Sequence, residues 1–160
     1  KDGRGSFLDY ERAGSKASDK SDARVKRISN DALLELDVDV LAPAALGGVI
    51  AKGNVGEIKA KTIIELANGP ITPEADDVLT KNGVEIIPDI LGNAGGVMVS
   101  YFEWKQNLSN EHWSEHDVNK KLKDMILDAY RKVVSEANRQ SIDLRTAAYD
   151  ISVERILDTK

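Results

Sequence analysis

The sequence predicts an α/β fold in which a parallel sheet is followed by C-terminal helices. Short apolar runs alternate with helical stretches over residues 38–88, and helical periodicity then continues almost to the C-terminus. Strands that alternate with helices at this spacing favour right-handed crossovers and hence a parallel sheet. The 160 residues, of which 41% are hydrophobic and 31% charged, are enough to bury a single core.

The first folded element is predicted at Ser29, after a long polar beginning. Residues 1–28 carry charges of both signs and few apolar side chains, which is typical of a poorly ordered connector or the remnant of an earlier domain. Ser29 is placed to cap a helix over residues 30–36. The run VDVLAP (38–43) has the character of a buried strand and ends in proline. The folded domain is therefore predicted to comprise residues 29–160.

Two further strands are predicted, each preceded by a helical stretch. Thr72 is a candidate N-cap because proline follows it at the first helical position, and Gly83 is typical of a residue that ends a helix. In chain order, the predicted elements are a short helical stretch at 55–60, the strand TIIELA at 62–67, a helix at 73–82 and the strand VEII at 84–87.

Three helices are predicted after the third strand. The first spans residues 95–108, with apolar positions at helical spacing, and the last begins at Asp143 and ends near residue 157. Between them, Ser114 and Asp117 resemble a capping box at the start of a long amphipathic helix. The apolar stripe of that long helix comprises Val118, Leu122, Met125, Ile126, Ala129, Val133 and Ala137.

The exits of the three strands are the predicted ligand site. The carboxyl ends of parallel strands share one edge, and ligands of open α/β sheets bind along it. The exits are rich in small residues, and they contain Asn68 and Asn93, whose amides offer both a donor and an acceptor. Gly95 and Gly96 open a helix whose free N–H groups attract anions. Ordinary turns use the same residue types and are the alternative interpretation.

Composition limits the possible partners. The net charge of −5 argues against nucleic acid, whose phosphates require clustered Lys and Arg. No run approaches the ~18 apolar residues that a membrane span needs. The absence of cysteine excludes thiolate metal sites and fits a reducing compartment. We therefore expect a cytoplasmic protein that binds neither membranes nor nucleic acid.

Four sequence blocks occur in one order along residues 29–157: VDVLAPAAL, ELANGPITPEAD, VEIIPDILGNAGGVMVSYFEW and DLRTAAY. Their order and spacing resemble the C-terminal coenzyme domain of glutamate dehydrogenases, within the Glu/Leu/Phe/Val dehydrogenase family. The resemblance implies a partial Rossmann-like, doubly wound parallel sheet. It also implies NAD or NADP as coenzyme, with both left open, and oxidative deamination of L-glutamate to 2-oxoglutarate by a homo-oligomer.

The resemblance also implies roles for individual residues. The coenzyme is expected to contact Ala44, Ala45, Asn68 and Asn93. Asn93 is expected to bridge coenzyme and substrate, and the substrate pocket to include Val97 and Ser100, whose hydroxyl bonds the side-chain carboxylate of glutamate. Leu66 stands where the family commonly has glycine, so a side chain is expected at the edge of the coenzyme site. No metal is expected.

Parts of the family pattern are missing from this chain. It lacks the first strand–loop–helix with its GxGxxG-type phosphate loop, and also the substrate domain with the catalytic Lys and Asp. Gly3 and Gly5 do not replace the loop, because no strand precedes them, whereas Asp2 is a candidate for binding ribose. We therefore expect a fragment without catalytic residues, inactive alone, whose partner is the missing substrate domain. The alternative is a non-catalytic nucleotide-binding or assembly module.

Two pairs of side chains admit a second interpretation. His112 and His116 have the spacing of metal ligands on a helix, but Ser114 between them is expected to act as a cap, and no third ligand is evident. Trp104 and Trp113 could form a platform for an aromatic ligand, and packing at a helix or domain junction is the favoured alternative.

Overall fold

The structure is a computed structural model that describes residues 28–158. The expectations for the polar beginning, including Asp2, Gly3 and Gly5, lie outside the described residues. The chain divides into a first unit that ends at Leu33 and a larger unit that begins at Leu34. In the first unit, Ser29 Oγ accepts a hydrogen bond from Ala32 N at 3.1 Å, as predicted for a cap. The helix α1 (Asn30–Leu34) ends two residues earlier than predicted.

The larger unit contains the predicted parallel sheet. Its three strands, β1 (Val40–Leu41), β2 (Thr62–Ile64) and β3 (Glu85–Ile87), are hydrogen-bonded in the order β1-β2-β3. In the register, Val40 lies opposite Thr62 and Ile63 opposite Ile86, and both pairings are parallel. The predicted α/β class is confirmed.

β1 and β2 are shorter than predicted, because the chain leaves the regular ladder at their exits, whereas β3 begins one residue late and ends where predicted. Leu66 N and Ala67 N both donate to the carbonyl of Pro43, at 3.1 and 2.9 Å, so one acceptor serves two donors. Proline has no N–H to continue a ladder, which stops β1 before Pro43. The predicted helical stretch at 55–60 was also wrong in extent: only a 3-10 turn, Val55–Glu57, forms there.

One helix packs on the sheet between β2 and β3. The helix α2 (Pro73–Lys81) begins as predicted, with Thr72 Oγ1 accepting from Ala75 N at 3.4 Å. The buried side chains of this half of the core are Ile50, Val55, Ala60, Ile63, Ile71, Ala75, Leu79 and Ile86. They are apolar groups of the sheet, of α2 and of the connecting turns, so this side of the sheet lies beneath α2.

The C-terminal part consists of four helices. They are α3 (Asp89–Gly92), α4 (Ala94–Ser109), α5 (Glu115–Gln140) and α6 (Leu144–Asp158). The short α3 was not predicted, and Asn93 stands at the break before α4. Ser114 Oγ caps α5 by accepting from Asp117 N at 3.1 Å, which confirms that predicted start. No helix of residues 28–158 is long and apolar enough to cross a membrane.

The C-terminal helices close a second core cluster. Its buried side chains are Leu91, Val133, Ala137, Ala147 and Ala148. Small residues on α5 and α6 let these two helices approach each other closely. The predicted apolar stripe of α5 is buried only in its C-terminal half, whereas Met125 is 42% exposed.

The start of α6 provides a prediction on pH. Asp143 accepts from Thr146 N at 2.9 Å and from the Thr146 hydroxyl at 2.6 Å, which confirms the predicted helix start. Partial burial by itself raises the pKa of Asp143, but the bonds from Thr146 and other backbone amides outweigh it and lower the pKa below its ordinary value. Because the folded-state pKa is depressed, this stabilisation is present above the unfolded-state pKa of about 3.9 and is lost as the pH falls through the folded-state value.

We expect Asp143→Ala to lower the free energy of unfolding by about 0.5–2 kcal/mol at pH 7, the usual cost of losing an N-cap. The difference from the parent chain should shrink below about pH 4. Urea unfolding at several pH values measures both effects. Asp143→Asn is the matched control, because it keeps an acceptor oxygen but loses the charge. A pH-independent difference between parent and Asp143→Ala would contradict the assignment.

Candidate functional site

The exits of β1, β2 and β3 form one depression at the carboxyl edge of the sheet. Its volume is about 530 Å³, and its lining residues are Ala45, Leu46, Gly47, Leu66, Ala67, Asn68 and Asn93. All three strand exits therefore contribute to it. The prediction that Ala45, Asn68 and Asn93 lie on one edge of three parallel strands is confirmed.

The two asparagines of the depression are bonded to each other. Asn93 Nδ2 donates to Asn68 Oδ1 at 2.6 Å, although the residues are 25 positions apart. The bond uses one of the two amide hydrogens of Asn93 and leaves the amide group of Asn68 and the carbonyl oxygen of Asn93 for other partners. The pair therefore offers a donor and an acceptor side by side at the strand exits.

The loop that carries Asn68 is fixed from the β1 side as well. Gly48 N donates to Gly69 O at 2.8 Å, and Ile50 N donates to Pro70 O at 3.0 Å. Gly69 has φ +53°, a left-handed conformation that a side chain would strain. The loop thus lies against the β1 exit in a conformation that suits glycine.

Gly92 determines where the next residue, Asn93, lies relative to the β2 exit. A Cβ at Gly92 would stand 2.7 Å from the carbonyl oxygen of Glu65, so the backbone of α3 lies directly against the β2 exit. Only glycine allows that approach without displacement of one segment. The close contact places the break between α3 and α4 beside the loop of Asn68.

The remaining predicted site residues lie outside the lining of this depression. Ala44 is exposed at the β1 exit and is not a lining residue. Val97 and Ser100 follow on α4, where Val97 is 70% exposed. The Ser100 hydroxyl donates to the carbonyl of Gly96 at 3.1 Å. Their expected roles in a substrate pocket stay predictions.

Leu66 occupies the depression as the sequence suggested. Its side chain is 44% exposed, and it lines the cavity beside Ala67 and Asn68. The difference from the usual family glycine therefore lies within the candidate site.

A partly buried ionic network behind the depression was missed by sequence reasoning. Glu65 at the β2 exit is 0% exposed, and its carboxylate accepts two bonds of 2.9 Å from the guanidinium of Arg145 on α6. Arg145 Nε also donates to Asp76 on α2 at 2.5 Å, and Arg145 Nη1 lies 3.6 Å from Asp89 Oδ1. One cation thus joins α6 to α2 and to both β2 and β3 exits.

The charge of Arg145 is permanent in this setting. Burial by itself lowers the pKa of Arg145, but the bonds to Glu65 and Asp76 outweigh it and raise the pKa above its ordinary value. No local sequence signal pointed to the pair, because Glu65 and Arg145 are 80 residues apart. The one available hint was a carboxylate inside the apolar run TIIELA.

The alternative sites have little structural support. Among residues 28–158, no group of three His, Asp or Glu side chains is arranged to hold a metal ion. Trp113 packs on Phe102 with ring centroids 5.8 Å apart, and Lys121 Nζ lies 4.8 Å from the Trp113 ring centre. Trp113 therefore packs at a helix junction, whereas Trp104 is 57% exposed on α4.

Three characterised relatives are similar to most of this chain. A glutamate dehydrogenase of Thermotoga maritima is 50% identical over 131 residues, which are 82% of this chain and 32% of the relative. An NADP-specific glutamate dehydrogenase of Halobacterium salinarum is 48% identical over 83% of this chain and 32% of its own length. An NAD-specific glutamate dehydrogenase of Staphylococcus aureus is 47% identical over 80% of this chain and 31% of its own. This chain thus spans about a third of the length of these relatives.

A solved structure supports the fold. A hetero-hexameric glutamate dehydrogenase of Thermus thermophilus, in a Leu-bound form, aligns with 98% of this chain and 37% of its own, with a TM-score of 0.81 and 26% identity. Residues 4–160 match the family described as Glutamate/Leucine/Phenylalanine/Valine dehydrogenase. Because that match covers nearly the whole sequence, the chain belongs to the Glutamate/Leucine/Phenylalanine/Valine dehydrogenase family.

Proposed function

We propose that this segment forms the nicotinamide-facing part of the coenzyme domain of a glutamate dehydrogenase, which converts L-glutamate to 2-oxoglutarate with NAD or NADP. The observation that carries the proposal is the Asn68–Asn93 pair at the joined exits of parallel strands. That edge is where open α/β sheets bind nucleotides. A carboxamide ligand needs a donor and an acceptor together, and the pair supplies both.

The coenzyme would supply the hydride chemistry, and this segment its placement. Ala44 and Ala45 leave room for a flat ring at the β1 exit, while Asn68 and Asn93 would bond its polar substituents. NAD and NADP both suit the segment, since it is 47% identical to an NAD-specific relative and 48% identical to an NADP-specific one. A non-catalytic module is less favoured, because the named relatives are dehydrogenases.

The partners of the site are part of the proposal. One face of α4 carries exposed apolar side chains at helical spacing: Val97, Tyr101, Trp104 and Leu108. We assign this face to contact with a substrate domain, which would bring the catalytic Lys and Asp to L-glutamate. The complete enzyme is proposed to be a cytoplasmic homo-oligomer that binds neither membranes nor nucleic acid. Residues 1–28 are proposed as a connector that precedes this domain or as the remnant of an earlier domain.

A hybrid enzyme tests the proposed function directly. The 131 matching residues of the Thermotoga maritima relative are replaced by those of this chain, and reduction of NAD and NADP is followed with glutamate. We expect turnover with glutamate. Asn68→Ala should lower kcat/KM for the coenzyme about tenfold, because it removes one hydrogen bond of the site. Asn119→Ala, on the exposed surface of α5, is the control. A folded hybrid that binds no coenzyme would overturn the proposal.

Ser100→Ala in the same hybrid is expected to weaken the use of glutamate. Loss of a hydrogen bond to a carboxylate costs about 1.5–3 kcal/mol, so kcat/KM for glutamate should fall roughly tenfold or more. The KM for coenzyme should stay nearly constant. The hydroxyl has one proton, so it must leave the Gly96 carbonyl to donate to substrate. Ser135→Ala on α5 is the control, and unchanged kinetics with glutamate would remove Ser100 from the site.

A further inference from the structure

We propose that Asp89 is a positioning residue, oriented by Glu65 and Arg145, that holds the Asn68 loop in place beside Asn93. The contribution of Asp89 to coenzyme binding rests on the proposed function, whereas its contact with the Asn68 loop does not. This role involves no chemical step by any group of the chain. Asp89 would act through Gly69 and Asn68.

The carboxylate of Asp89 joins two strand exits. Asp89 Oδ2 accepts from Gly69 N at 2.8 Å, across 20 residues of sequence, and Asp89 Oδ1 accepts from Ile90 N at 2.8 Å. The first bond ties the β2 exit to the start of α3, and the second fixes the rotation of the carboxylate. A charged acceptor makes the stronger kind of hydrogen bond to a backbone N–H.

Asp89 is itself held by the ionic network. Asp89 N donates to Glu65 Oε2 at 2.8 Å, so the buried Glu65 fixes the backbone of Asp89. Arg145 Nη1 lies 3.6 Å from Asp89 Oδ1 and keeps positive charge next to the carboxylate. Glu65 and Arg145, which are paired with each other, therefore both contribute to where the carboxylate lies relative to Gly69.

The bonds that hold Gly69 also determine the position of Asn68 relative to Asn93. With its N–H held by Asp89 and its carbonyl by Gly48 N at 2.8 Å, Gly69 is fixed on both sides. Asn68 precedes it directly, and the 2.6 Å bond from Asn93 requires both loops to stay in register. Release of Gly69 N would let the Asn68 peptide rotate and would separate the pair.

Asp89→Asn and Asp76→Asn form a matched pair of variants. Both carboxylates pair with Arg145, and both side chains are 19% exposed. Only Asp89 also holds the Gly69 N–H, since Asp76 bonds to Arg145 and the Thr80 hydroxyl. Asn has one acceptor oxygen where Asp has two, and Arg145 Nη1, which lies 3.6 Å from Oδ1, favours that oxygen on the Ile90 side. In Asp89→Asn the amide NH₂ then faces the Gly69 N–H, so two donors oppose each other.

The first readout is the backbone amide of Gly69 in the isotope-labelled 160-residue chain. We expect Asp89→Asn to move its NMR resonance and to speed its hydrogen exchange about tenfold, while Asp76→Asn leaves both nearly unchanged. The second readout is the hybrid enzyme, in which Asp89→Asn should raise the KM for coenzyme about tenfold. Asp76→Asn should leave it within about twofold of the parent value.

The outcomes separate the two proposals. Equal effects of the two variants on the Gly69 amide would overturn the positioning role, whatever the enzyme does. A folded parent hybrid that binds no coenzyme would overturn the proposed function and with it the coenzyme role of Asp89, and the amide comparison would still decide the hold on the loop. If Asp89→Asn does not fold, Asp89→Glu replaces it, because the longer side chain keeps the charge near Arg145 but moves the carboxylate off Gly69 N.

Discussion

Arg145→Met is expected to lower the free energy of unfolding by about 3–5 kcal/mol, the usual cost of removing one partner from a buried ion pair. The side chain of Glu65 is fully buried, and both of its oxygens accept from Arg145. Methionine fills much of the same volume but leaves that carboxylate without a cation. Asp76 and Asp89 would then add repulsion at the same place, because Arg145 is the cation common to all three acids.

Thermal and urea unfolding of the chain measure this effect. For a domain of this size, the expected loss corresponds to a fall in Tm of roughly 10–20 °C. Arg139→Met is the matched control, because Arg139 pairs with Glu136 on the exposed surface of α5 and its loss should leave Tm unchanged. The double variant Glu65→Met with Arg145→Met should recover much of the loss, since it removes both buried charges. Equal Tm values for Arg145→Met and Arg139→Met would refute the assignment.

Local signals in the sequence were sufficient for the order of elements and for several helix starts. Thr72, Ser114 and Asp143 each cap the predicted helix, because a cap depends on residues three positions apart. The alternation of strands and helices predicted a parallel sheet, and its shared edge followed from the direction of parallel strands. The shared edge therefore predicted that Asn68 and Asn93 lie close together, and the 2.6 Å bond between them confirms it.

Features that depend on distant contacts could not be predicted in this way. β2 ends early because Leu66 N and Ala67 N at its exit both donate to the carbonyl of Pro43, a contact that a single run of sequence does not show. The break at Asn93 depends on the close approach of Gly92 to Glu65. The pairing of Glu65 with Arg145 spans 80 residues, and the one local hint is that Glu65 stands inside the apolar run TIIELA.

The predicted substrate-pocket residues, Val97 and Ser100, were placed by resemblance to the family and not by a local signal. Val97 and Ser100 lie on an exposed side of α4. A pocket at that position needs a second surface. The resemblance placed these residues by motif, and the hybrid enzyme is the test of their roles.

The 160-residue chain by itself is expected to show no measurable glutamate dehydrogenase activity. Hydride transfer from an amino acid needs a bound coenzyme, an oriented substrate and groups that move protons. The sequence has no GxGxxG-type loop that follows a strand, so the affinity for coenzyme should be about millimolar or weaker, near −4 kcal/mol. Four lysines outside the predicted motifs are exposed to solvent, and none lies in an enclosed site: Lys52, Lys59, Lys61 and Lys105.

The open depression cannot hold coenzyme and substrate in a fixed orientation, so most of the rate gain from orientation is lost. Holding reactants together in a closed cleft is worth about 7–11 kcal/mol, whereas the depression at the strand exits has one wall and its asparagine pair is accessible to water. The purified chain is mixed with glutamate and NAD or NADP, and the absorbance of reduced coenzyme is followed beside a heat-denatured sample. The hybrid enzyme is the positive control, because it combines the same asparagines with the roughly two thirds of the relative's length that this chain does not span. Turnover by the chain alone, clearly above the denatured sample, would show that these 160 residues contain a complete active site and that the proposed division of labour is wrong.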